Sequence, residues 1–297
     1  MGLASGAIKL YLELWQQGVF KNIKSVIEMG SQEIHVSDEH FEELINAAGI
    51  TDYNNGEFAS LKRFNKGPAG AGLSAKAFYK LLGAQEYSSI DLNGEQGSIR
   101  HDLNLPLEDA RYYNKYDLVT DLGCNEHIFN IAEAYRTMHR LCKVNGYIVI
   151  DQTVFIGNGF YRYDSSFFEL LAAANNYRVL YSSYTVTLKS DKYGYQQFHI
   201  PLSRELLLTI DWAKVQTIGI CYVLQKLSAA DFKYPYQGVY LQESQKNAGY
   251  KLRFYPEGRG FSYVPVYLQM VRTKELLQVI RKRLPKIFKK ILKFRIR

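Results

Sequence analysis

The sequence predicts an α/β fold built on a mostly parallel, doubly wound sheet of seven strands. Two observations carry this. First, short apolar runs bounded by Gly, Asn and Asp alternate along the chain with segments of helical period. Strands covered on both faces read as such continuous runs, and parallel neighbours need crossover helices between them. Second, 47% of the 297 residues are hydrophobic and only 22% are charged. That is enough apolar material for a large core and too little charge for disorder.

The elements follow in order. Ala7 to Phe20 reads as an amphipathic helix with Ile8, Leu10, Tyr11, Leu14 and Trp15 on its apolar face. Ser25 to Gly30 is a short buried strand ending in a turn, and His40 to Ala48 a helix. Residues 33–73 read as an insertion after this strand, and Thr51 to Gly72 within it is polar, Gly-rich and irregular. Ser74 to Leu82 is a helix that Ser74 can cap. Tyr87 to Asp91, Ser98 to Leu103 and Asp117 to Asp121 are the second, third and fourth strands. Ile128 to Leu141 is a helix and Tyr147 to Asp151 the fifth strand. Phe167 to Asn175 is a helix, Tyr177 to Leu188 the sixth strand, and Ile218 to Leu227 the seventh.

In a doubly wound sheet, ligands bind outside the carboxyl ends of the strands. Each of the first four ends carries an acid: Glu28-Met29-Gly30-Ser31-Gln32, then Asp91-Leu92, then Asp102-Leu103, then Asp121 to His127. Phosphates seek Gly-rich loops and basic groups, and the chain has neither GxGxxG nor a P-loop. Acids suit a ligand with hydroxyls and positive charge. Asp91 has the position of an acid that accepts both ribose hydroxyls.

These segments resemble class I S-adenosylmethionine-dependent methyltransferases, a Rossmann-like family. Val26 to Ser31 resembles the family's first motif, Ser89-Ile90-Asp91 its second strand with the ribose acid, and Asp102-Leu103 the position beside adenine. Asn125-Glu126-His127-Ile128 is similar to the Glu-His step after strand four, and Lys143 to Tyr147 to the turn before strand five. Gly159-Phe160-Tyr161 and Leu171 to Asn175 resemble a bacterial subset tied to glycan or natural-product pathways. The resemblance implies S-adenosylmethionine as cofactor, bound by Glu28, Gly30, Ser31, Gln32, Asp91, Leu92, Asp102, Leu103, Asp121, Asn125 and Glu126. Some related enzymes hold a divalent metal near the fourth strand, but the spacing of Asp121 and Glu126-His127 does not match a metal site, so none is expected. The resemblance also implies methyl transfer to a sugar, a glycan or a related polyhydroxylated small molecule. Two departures stand out: Gln32-Glu33 replaces the usual continuation to a second Gly, and Asn158 stands where the subset often has His.

Several residues keep two readings. His127 is either a general base, with a reference pKa suited to neutral pH, or a cap or pocket wall. Glu126 either contacts a ligand or favours the start of a helix. Tyr161 and Tyr163 either wall a substrate pocket or merely pack, since the chain has 24 tyrosines.

The three cysteines are widely spaced, which argues against a disulfide scaffold or zinc site and for a reducing compartment. No segment is long and apolar enough to cross a bilayer, and the start of the chain lacks signal-peptide character, so a cytoplasmic protein is expected. From Arg272 to Arg297 there are eleven Lys or Arg and one Glu, a surplus of ten in a chain whose formal charge is +8. The body therefore carries −2 and the basic character belongs to the tail. The chain divides into a domain over 1–271 and a basic tail over 272–297. Within 273–297, Leu277, Ile280, Leu284, Ile287, Ile291 and Phe294 recur at helical steps, with Pro285 between them. Such a helix can lie on an anionic membrane surface, pack on the domain or a partner, or bind nucleic acid. The tail motivates a nucleic-acid-modifying alternative, and the altered first turn a non-catalytic one.

Overall fold

The computed structural model describes residues 2–50, 73–94, 97–190, 194–203, 206–207 and 209–236, and among these described residues eleven strands and five α-helices form. The irregular stretch over 51–72 and the basic amphipathic tail lie outside the described residues.

The central layer contains β2 (Ser25–Met29), β5 (Glu86–Asp91), β6 (Ile99–Arg100), β7 (Tyr116–Leu122), β8 (Cys142–Phe155), β9 (Tyr177–Ser190), β10 (Gly194–Ile200) and β11 (Val215–Lys226). Their order across the sheet is β10-β9-β11-β8-β7-β2-β5-β6. From β6 to β8 all pairings are parallel, while β11 runs antiparallel to both β8 and β9. The sheet is thus mixed and eight-stranded, where the sequence predicts seven. The extra strand is β10, paired antiparallel with β9 at one edge. Its Gln196 and Gln197 hide it among polar residues. An edge strand needs cover on only one side, so its apolar signal is weak.

Two expected strands change length. Where Ser98 to Leu103 is predicted, β6 has two residues, because Asp102 turns the chain: its carbonyl accepts from the Leu105 N–H at 2.9 Å. The predicted turn at Lys143 to Gly146 is a bulge inside β8, with Asn145 at φ 66° and a register shift between the Tyr116 and Leu118 pairings. A bulge inserts residues without ending the strand.

Side chains alternate across the strands, so each face has its own core. On one face α1 (Ser5–Gln16), α2 (Asp38–Ala47) and α3 (Ala75–Leu81) pack on Val26, Leu118 and Val149. On the other, α4 (Ile131–Leu141) and α5 (Ser165–Ala174) cover Ile27, Val119, Ile148 and Ile150. The predicted apolar face of α1 is buried at Ile8, Leu10, Tyr11 and Leu14, with Trp15 packed at its margin. Ser37 caps α2, its hydroxyl accepting from the His40 N–H at 3.2 Å. A small second sheet joins β1 (Gly2–Leu3), parallel, and β4 (Leu73–Ser74), antiparallel, to β3 (Glu33–Ile34). The N-terminal segment is thereby tied beside the turn that follows β2.

Candidate active site

Within the parallel part, chain order runs third, second, first, fourth, fifth from β6 to β8. It reverses between β2 and β7, and the helices following these strands lie on opposite faces. Such a reversal leaves a crevice outside the strand ends, the usual ligand position in this architecture. Both flanking strands leave the sheet through a glycine in the left-handed region, Gly30 at φ 74° and Gly123 at φ 82°. A side chain there would be strained. Gly123 escapes the sequence reading, although it follows its strand as Gly30 follows Met29.

The turn after β2 is braced from below. Gly30 N–H donates to the Ile90 carbonyl at 2.8 Å, and Ser31 N–H donates to Asp91 Oδ2 at 3.0 Å. The Ser31 and Ser89 hydroxyls lie 3.1 Å apart. Asp91 Oδ1 accepts from the Asn93 N–H at 3.3 Å. Asp91 is half-buried at the end of β5, and each carboxylate oxygen keeps a further lone pair beyond these bonds. Leu92 next to it is 65% exposed.

Glu28 and Gln32 are fully buried beneath this turn. Glu28 Oε2 accepts from the Tyr87 hydroxyl at 2.5 Å and from the Gln32 N–H at 3.2 Å. Turned to the orientation that satisfies both of its ends, the Gln32 amide spans to β7, donating to Glu28 Oε1 at 3.2 Å and accepting from the Leu122 N–H at 3.1 Å. Burial pushes the Glu28 carboxyl up to about 7. The two side chains tie the end of β2 to that of β7 beneath the turn.

After β6, Asp102 Oδ1 accepts from the Asn104 N–H at 2.9 Å and its side-chain amide at 2.8 Å. The backbone bond first, then the side-chain bond, hold Asp102 below the usual carboxylate range. Asn104 in turn accepts from the Asn130 N–H at 2.9 Å, joining this loop to the start of α4. Leu103 is buried in the core beneath α4 and α5.

The loop after β7 is folded around Asp121, whose Oδ1 accepts from the Cys124 and Asn125 N–H groups at 3.0 and 3.1 Å. Its Oδ2 is buried without a hydrogen-bond partner among the described residues, and burial raises the carboxyl to about 7. Asn125 is buried, its amide directed at Met138 Sδ at 3.2 Å. Glu126 is pinned to β8: its N–H donates to Gln152 Oε1 at 3.0 Å, and its Oε2 accepts from the Thr153 N–H at 2.7 Å. His127 is about one-third exposed, with Nε2 3.6 Å from Glu126 Oε1. The Glu126 carbonyl accepts from the Phe160 and Tyr161 N–H groups at 2.7 and 3.3 Å. This close approach explains Gly159, where a Cβ would lie 2.6 Å from that carbonyl oxygen.

The structure thus brings Gly30, Ser31 and Asp91 together on one side of the crevice, with the Asp121 to His127 loop on the other. Glu28, Gln32, Leu103 and Asn125 turn inward as supports. Tyr87 and Gln152, which hold two of the acids, carry no sequence signal because their role depends on cross-strand register. Among the described residues, no group of three or more His, Cys, Asp or Glu is placed to hold a metal ion. Among them too, no helix is long and apolar enough to cross a membrane.

No family model matches the chain, and no curated protein does. Solved structures do. One is a Burkholderia thailandensis 1,6-didemethyltoxoflavin N1-methyltransferase with bound 1,6-didemethyltoxoflavin and S-adenosylhomocysteine. The match has 10% identity, covers 75% of this chain and 80% of that one, and has a TM-score of 0.38. Another is a SAM-dependent methyltransferase from Archaeoglobus fulgidus, with 12% identity, 74% and 95% coverage, and a TM-score of 0.37. The chain is similar to S-adenosylmethionine-dependent methyltransferases.

Proposed function

We propose that the chain is an S-adenosylmethionine-dependent methyltransferase that methylates an oxygen of a sugar, a glycan or a related polyhydroxylated small molecule. The observation that carries the reading is Asp91, half-buried at the end of β5 and bonded to the Ser31 N–H on the same side of the crevice. A carboxylate there suits a pair of ribose hydroxyls, and the Gly30 turn lets backbone approach the methionine part. Asp102, with its charge retained by Asn104, stands on the adenine side. S-adenosylmethionine, when bound, supplies a methyl group on a sulfonium that is already an activated leaving group. The protein then has to align the acceptor oxygen with that methyl and exclude water. His127 takes the proton from the acceptor hydroxyl, and Glu126 Oε1 beside it stabilises the resulting imidazolium.

The basic tail extends this reading. Residues 273–297 would hold the enzyme on the anionic inner face of a membrane, next to a lipid-linked or membrane-assembled acceptor.

Calorimetry with S-adenosylhomocysteine tests the core of it. Asp91→Ala removes charge-assisted hydrogen bonds, which contribute roughly 1.5–3 kcal/mol, so the Kd should rise about 10- to 150-fold. An unchanged Kd would refute the ribose assignment. His127→Ala should leave that Kd alone and lower kcat by about 100-fold with labelled cofactor and a hydroxylated acceptor. Label found only in RNA or protein would overturn the acceptor class.

A further inference from the structure

A groove of about 390 Å³ opens between the first turns of α4 and α5. Ile131, Tyr161, Tyr163, Phe167, Leu170 and Tyr236 form its apolar wall. Its volume falls within the range of small-molecule pockets. The rings are ordered against one another, with Tyr163 and Phe167 edge to face at 5.3 Å and Tyr161 6.5 Å from Tyr163. The chain after β11 is fixed along this side of the molecule. His139 Nε2 lies 2.9 Å from the Ala230 carbonyl, and Asn175 bonds both the N–H and the carbonyl of Lys233, at 2.8 and 3.0 Å. These bonds bring Pro235 and Tyr236 to the groove's edge.

We propose that this groove holds an aromatic ring of the methyl acceptor, beside the hydroxylated part that reacts. The role as an acceptor subsite rests on the methyltransferase reading; the capacity to bind a ring does not. Two observations favour an aromatic ring over a sugar. The first is the wall itself, mostly ring faces and aliphatic carbon. The second is that the polar side chains of Arg162, Asp164 and Tyr161 are engaged within the protein. Arg162 donates to the carbonyls of Gly157, Gly159 and Tyr161, Asp164 accepts from the Ser166 N–H, and the Tyr161 hydroxyl donates to the Phe129 carbonyl. A polyol placed there would meet a mostly apolar wall, with the buried Tyr163 hydroxyl as an exception, and would lose water for few partners, whereas an aromatic ring needs none. The groove is also tied to the candidate centre through the backbone. The Phe160 and Tyr161 N–H groups rest on the Glu126 carbonyl, one residue from His127. A ring against Tyr161 would therefore rest on a residue whose N–H is bonded to the loop that carries the proposed base.

The test compares phenyl β-D-glucoside with methyl β-D-glucoside by calorimetry on the full chain. The phenyl compound should bind at least about tenfold more tightly, from burial of its ring. Leu170→Trp, which fills the groove, should abolish that preference while leaving the melting temperature and S-adenosylhomocysteine affinity in place. If that variant does not fold, Ile131→Trp fills the groove from its other wall. Equal binding of the two glucosides, or a preference that survives a filled groove, would overturn the proposal. So would a preference that appears only in a full chain carrying Leu284→Asp and Ile287→Asp, because the tail would then be the occupant. A preference for the phenyl compound without any S-adenosylhomocysteine binding would uphold the groove and sink the methyltransferase reading.

Discussion

Gly159→Ala puts the link between the Gly159-Phe160-Tyr161 loop and the candidate base under direct strain. The backbone at Gly159 is not in the left-handed region among the described residues. On backbone grounds alone, then, alanine should stabilise by about 0.4–1 kcal/mol through lost unfolded-state entropy. The neighbours reverse that sign. The new Cβ would lie 2.6 Å from the Glu126 carbonyl oxygen and 2.8 Å from Glu126 Cγ. Neither can move freely. The carbonyl carries the Phe160 and Tyr161 hydrogen bonds, and the carboxylate is held by the Thr153 N–H at 2.7 Å. Overpacking against fixed groups costs roughly 1–3 kcal/mol. The net loss is about 0–2.6 kcal/mol, which for a chain of this size lowers Tm by up to about 10 °C. Differential scanning calorimetry measures this. Methyl transfer should fall more than cofactor affinity, because the strain falls on Glu126 and the adjoining His127 and leaves Asp91 untouched. A variant with a raised Tm and unchanged turnover would refute the contact between loop and Glu126.

Three further outcomes follow from the same structure. Burial raises Glu28 to about 7 from an ordinary 4.5, so its contribution to stability is complete below pH 4.5 and is lost as pH rises through 7. Glu28→Gln should shrink the fall in stability between pH 5 and 8 by an amount on the order of 3 kcal/mol, read from denaturant melts at the two pH values; an unaltered pH profile would contradict the assignment. Lys226 is buried and donates to the His139 and Cys142 carbonyls at 2.7 and 2.9 Å and to Asn114 Oδ1 at 3.2 Å, closing the end of α4. Lys226→Met should cost at least about 2 kcal/mol in urea unfolding, and a neutral result would mean that water replaces the ammonium. The full chain should sediment with anionic but not neutral vesicles, less so in high salt, and the effect should vanish when Lys286, Lys289, Lys290 and Lys293 become Glu; equal sedimentation of both proteins would end the membrane proposal.

By itself the sequence determined the layers. Apolar runs such as Val26-Ile27 and Ile148-Val149-Ile150 must be covered on both faces, and the helical stripes between them supply the cover, so a doubly wound sheet follows from local pattern alone. The acids at strand ends were legible for the same reason, since a strand's end is a local event. The tertiary structure decided what those acids do. Glu28 and Asp91 look alike as strand-end carboxylates, yet one is fully buried under Tyr87 and Gln32 while the other is half-buried at the crevice. Both leave the same side of the sheet, since Glu28 is in register with Ser89, two residues before Asp91; the difference lies in their neighbours, Glu28 standing between β5 and β7 under the turn and Asp91 at its strand's end beside the short β6. Likewise β10, the wedge of β11 between β8 and β9, and the Glu126 carbonyl over Gly159 all depend on residues far apart in the chain. Pairing and close approach are set by which segments become neighbours, and no local residue pattern encodes that choice.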